Sequence, residues 1–65
     1  MRTKYDPQTD TLCVRFAETA VFESEETRPG VVLDLDVDGR IVAIELLDAS
    51  KQVSGGVDKA FPSAA

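Results

Sequence analysis

Four carboxylates in the segment 34–45, DLDVDGRIVAIE, carry the spacing of an EF-hand calcium loop. Asp34, Asp36 and Asp38 stand at its first, third and fifth positions, Gly39 at the sharp turn and Glu45 at the bidentate closing position. Hard oxygen donors in that pattern would wrap a divalent cation, so these four are the metal-ligand candidates. The same string also reads as a β-hairpin. Two β-rich runs, VVLDLDV and RIVAIELL, are joined by Asp38-Gly39, a pair that suits the positive φ values of a type I′ turn.

The flanking residues decide between the two readings. A paired EF-hand needs a helix entering its loop, and residues 24–33 read SEETRPGVVL. An interior proline costs a helix about 3 kcal/mol and a glycine about 1 kcal/mol, so Pro29 and Gly30 rule that helix out. In a metal loop Val42 and Ile44 would stay wet, whereas a hairpin buries them at about 1.5–3 kcal/mol each. The hairpin is therefore adopted, with no metal and no other cofactor; a calcium module built on Asp34, Asp36, Asp38 and Glu45 stands as the alternative.

A two-residue turn sets Val37 opposite Arg40, Leu35 opposite Val42, Leu33 opposite Ile44 and Val31 opposite Leu46, making one face almost wholly aliphatic. The other face carries Val32, Asp34, Asp36, Ile41, Ala43, Glu45 and Leu47. Its apolar members, Val32, Ile41, Ala43 and Leu47, exceed what a purely solvated face needs and form the candidate interface, with a short helix or a second subunit.

The remaining elements frame this hairpin. Arg2 to Tyr5 is a short strand, and DPQTD at 6–10 is a turn set by Asp6 and Pro7. Thr11 to Phe16 alternates, with Leu12, Val14 and Phe16 on one face and Thr11, Cys13 and Arg15 on the other. Residues 17–26, AETAVFESEE, would suit a helix by composition but are assigned to an edge strand through VFES, where Glu23, Glu25 and Glu26 discourage strand addition. Pro29-Gly30 breaks the chain. Asp48 is expected to cap a short helix over about Ala49–Val53, which Ser54-Gly55-Gly56 ends. The expected fold is mainly β (α+β): a small antiparallel meander sheet of four or five strands with a short C-terminal helix. Residues 1–53 form the domain and 54–65 a mobile tail, in which Phe61 could tuck against a neighbour.

Composition bounds the function. A chain of 65 residues has a thin core that disulfides, a metal or oligomerisation usually supplement. The lone Cys13 makes no intrachain bridge, so a homo-oligomer, dimer or higher, is expected. A formal charge of -5 repels phosphate backbones and anionic lipid, which argues against nucleic acid and membrane as partners. Of the basic residues, Arg2, Lys4 and Arg15 could share a face. No run approaches the ~18 apolar residues of a membrane span, and no basic-then-apolar leader is seen. With a single free thiol, these point to a soluble cytoplasmic protein. There is no histidine, hence no imidazole chemistry. Cys13 lacks a neighbouring base and reads as a structural thiol. A small sheet also offers paired carboxylates little of the cleft a glycosidase needs. No catalytic residue is assigned, and the chain is read as a non-enzyme. A small-molecule binder at a subunit interface is the other alternative.

Taken together, YDPQTDTLCVRF, the run RPGVVLDLDVDGRIVAIELLDAS and their separation resemble a family of small, mostly prokaryotic proteins, domain of unknown function 2283, over roughly residues 2 to 52. The shared features are Tyr5-Asp6-Pro7, Pro29-Gly30, Asp38-Gly39-Arg40 with the aliphatic strand after it, and Leu47-Asp48-Ala49-Ser50. The resemblance implies a small β-rich fold with a terminal helical turn; the family has no established activity, so no catalytic or ligand residues carry over from it. Size and the mixed face point to a non-catalytic interaction module that self-associates through its sheet, and the resemblance, whose members stand in some cases beside a toxin-like neighbour, adds such a neighbour as an expected partner. The GGVDKAFPSAA tail departs from the shared pattern.

Overall fold

Strand polarity sorts the sheet. A computed structural model describes residues 1–57 as β1 (Arg2–Asp6), β2 (Thr11–Arg15), β3 (Glu23–Arg28), β4 (Val31–Leu35), β5 (Ile41–Leu46) and α1 (Ala49–Gln52). The strands form one antiparallel sheet in the order β1-β2-β5-β4-β3. The two strands that read RTKYD and ESEETR take the edges, where water solvates both faces, and every residue of β3 is exposed. The apolar β2, β4 and β5 take the centre.

That sorting requires one departure from a plain meander. β3-β4-β5 is a meander, but β2 pairs with β5 rather than β3, which is Greek-key connectivity. Residues 16–22 therefore cross the ends of β5 and β4. The crossing is pinned by the Phe16 N–H donating to the Val42 carbonyl at 2.8 Å and the Phe22 N–H donating to the Leu35 carbonyl at 2.7 Å. The edge strand in this region starts at Glu23, so Val21 and Phe22 of the expected VFES strand lie in the crossing instead.

The β4–β5 hairpin keeps the expected register away from its tip and loses it there. Val31 pairs with Leu46, Leu33 with Ile44 and Asp34 with Ala43, but Leu35 pairs with Ile41 rather than Val42. The two-residue type I′ turn is replaced by a three-residue loop. The Gly39 N–H donates to the Asp36 carbonyl at 3.0 Å, and the Asp36 N–H to the Arg40 carbonyl at 2.9 Å. Gly39 takes φ 80 while Asp38 stays out of the left-handed region, the arrangement of a type I turn followed by a glycine bulge. The carboxylate of Asp36 explains the choice, since its Oδ1 accepts the N–H groups of both Asp38 and Arg40 at 2.9 Å. The extra loop residue is absorbed by a bulge at Val42, so the alternation beyond it is restored.

α1 sits against the aliphatic face and not, as one sequence reading had it, against the mixed one. Leu12, Ala49 and Val57 form the buried cluster, with Tyr5, Val14, Leu46 and Val53 packed around it. Asp48 occupies the N-cap position, but in a left-handed conformation and without a side-chain capping bond. Asp10 of the β1–β2 turn does that work from across the molecule. Its carboxylate accepts the Ser50 N–H (3.1 Å) and Oγ–H (2.7 Å) and the Tyr5 hydroxyl (2.7 Å), while its carbonyl accepts the Ala49 N–H at 2.8 Å. The packed region also outruns the expected boundary at residue 53, because Val57 is only 6 % exposed. The rest of the expected tail, 58–65 with Phe61, lies outside the described residues.

Candidate functional site

The registers stack side chains into rows across the whole sheet. On the aliphatic face one row runs Thr3, Val14, Ile44, Leu33, Glu25, and the next Tyr5, Leu12, Leu46, Val31, Arg28. On the mixed face the rows are Arg2, Arg15, Ala43, Asp34, Ser24 and Lys4, Cys13, Glu45, Val32, Glu26. The first of these rows is basic at β1 and β2 and acidic at β4, and the second is basic at β1 and acidic at β5 and β3. Arg2, Lys4 and Arg15 do share a face, as their strand positions suggested.

The four carboxylates of the calcium-like string are put to separate uses. Asp34, 6 % exposed, accepts a 2.6 Å hydrogen bond from Ser24 Oγ of the edge strand. Glu45 is on the neighbouring strand; hydrogen bonding toward Asp34 first, then burial and the negative charge of Asp34, raise the Glu45 pKa from its ordinary value. Asp36 folds back onto its own loop amides, and Asp38 sits in the turn after it. Only Asp34 and Glu45 are brought together.

Cys13 lies opposite Glu45 in the β2–β5 pairing. Burial chiefly, and then the charges of Glu45 and Asp34, push its thiol pKa up, which keeps it protonated and poorly nucleophilic near neutrality. Beside it, Arg2, Thr3, Lys4, Cys13 and Arg15 line a shallow concavity of about 490 Å³. The carboxylate of Glu18 reaches both of its arginines, at 3.0 Å from Arg2 and 3.6 Å from Arg15 Nε.

The candidate interface residues do not form one patch. Ala43 is 0 % exposed and presents nothing to a partner, a correction to its assignment as an interface residue. Val32 is half-buried mid-sheet, and Ile41 and Leu47 lie at opposite ends of β5. A different apolar surface exists that the strand patterns did not disclose. Phe16, Val21, Phe22, Val37 and Ile41 are all exposed, Phe22 by 68 %, and all belong to the crossing or the hairpin tip at one end of the sheet. Leu35, which pairs with Ile41 and accepts the Phe22 amide, joins them. Alternation could not show this cluster, because it is assembled by the β2-to-β3 crossing.

The profile of the family described as "Protein of unknown function (DUF2283)" matches residues 2–50, and the chain belongs to that family. No curated protein and no solved structure matches it. Among the described residues no helix is long and apolar enough to cross a membrane.

Proposed function

We propose that this member of the family is a non-catalytic interaction module that associates with itself through the apolar end of its sheet, the same end being available to a protein partner such as a toxin-like neighbour. The observation that carries the reading is the exposed group Phe16, Val21, Phe22, Val37 and Ile41 in so small a chain. Large apolar side chains scattered singly over a surface are ordinary, but five exposed at one end of a sheet support an association site there. The small core supports it too. Among the described residues Leu12 and Val42 are the largest side chains fully withdrawn from water, and a second copy over this end would supply the missing apolar burial.

Sedimentation velocity at micromolar concentration tests the idea. The expected result is a dimer or larger species for the natural chain and a monomer with an unchanged circular-dichroism spectrum for Phe22→Ser. Phe22 is largely exposed, so its replacement leaves the fold intact. A stably folded natural monomer at that concentration would overturn the reading.

A further inference from the structure

We infer that a second contact between copies joins the two edges of the sheet head to tail, the basic strand β1 of one copy pairing antiparallel with the acidic strand β3 of the next. This goes beyond the apolar-end reading because it uses a different surface and a different force. Both edge strands are exposed almost throughout, and such strands present free backbone N–H and C=O groups on their outer sides.

Their charges select the pairing. Each edge opposes a copy of itself, since β1 against β1 sets Arg2 and Lys4 among their own kind and β3 against β3 does the same for Glu23, Glu25 and Glu26. The mixed pairing is favourable, and its spacing matches. Arg2 and Lys4 are two residues apart on β1, as Glu23 and Glu25 are on β3, so all four can lie on one face with Arg2 opposite Glu25 and Lys4 opposite Glu23. Thr3 then stands opposite Ser24. Antiparallel pairing is chosen because it is the more stable ladder and seats both acids opposite both bases.

The receiving side is already shaped for a carboxylate. The Arg2, Lys4 and Arg15 side chains line the concavity beside β1, and Glu18 of the same chain shows that its two arginines can grip an acid. Because the surfaces joined are different, the contact is heterologous; it closes into a ring or runs on as a filament.

Charge reversal tests this in full-length chains. Sedimentation is compared for the natural chain, for R2E/K4E, which has two acidic edges, for E23K/E25K, which has two basic ones, and for their equimolar mixture. Far-ultraviolet circular dichroism confirms that each variant is folded. The expected result is that each double variant loses the head-to-tail step and the mixture recovers it. Raising ionic strength from about 0.02 to about 0.5 M should weaken that step in the natural chain by roughly tenfold. Charge variants that assemble like the natural chain, or a mixture that behaves as the sum of its parts, would overturn the inference. Phe22→Ser keeps the two ideas apart: it should remove the salt-insensitive association and leave the salt-sensitive step in place.

Discussion

At the scale of single residues, two carboxyls pull the pH dependence of stability in opposite directions. Asp10 is held below its ordinary value of 3.8, first by the Ser50 hydroxyl and then by the Tyr5 hydroxyl. A depressed group stabilises the fold above its unfolded pKa, and that contribution fades as pH falls through the folded value. Glu45 is held above its ordinary 4.5, so its contribution is complete below about that pH and fades as pH rises through the raised value. Asp10→Ala should therefore lower the melting temperature at neutral pH, with the deficit shrinking in strong acid. Glu45→Gln should raise it at neutral pH and approach the natural chain in acid. Melting curves from about pH 2 to 8 check both, and a neutral-pH loss in Glu45→Gln would contradict the raised Glu45 pKa. Neither role is visible locally in the sequence, because Ser50 is forty positions from Asp10 and Asp34 meets Glu45 only through the hairpin register.

At the scale of elements, polarity and alternation told most of the story and closure told the rest. Thr11 to Phe16 alternated as β2 does, and Asp34 outward to Val31 paired as the hairpin grammar required. The tip differed because the Asp36 carboxylate satisfies two loop amides in a three-residue turn, a local bond that outweighs the preference of Asp-Gly for a shorter one. α1 is the weakest element. A single four-residue turn does not persist in water unaided, and it is held by Asp10 at its start and by Val57 packing beyond its end. Truncation after Ser54 should consequently lose about 1–3 kcal/mol, the burial of one valine, and lower the melting point by roughly 4–8 °C per kcal/mol for a domain of this size. An unchanged melting point would mean that Val57 contributes nothing to the core.

For the whole molecule the margin is thin. A chain of this length has about 3–10 kcal/mol of stability in total, and truncating one buried leucine costs about 2–5 kcal/mol, so Leu12→Ala should leave the protein largely unfolded at 37 °C by circular dichroism. If the folded chain associates through its apolar end, mass action makes the melting temperature rise with protein concentration. Phe22→Ser should flatten that dependence, and equal slopes in the two proteins would detach Phe22 from the association.

What the sequence by itself determined is what short-range chemistry controls: the β-rich class, the alternation of β2, and the outer pairing of a hairpin that keeps Val42 dry. The tertiary structure decided which strands became neighbours. Pairing β2 with β5 buried the most apolar strands, consigned the charged ones to opposite edges and gathered five apolar side chains at one end. Those outcomes depend on contacts between residues far apart in the chain, and no local pattern specifies them, because the free energy that selects them is released only when the sheet closes.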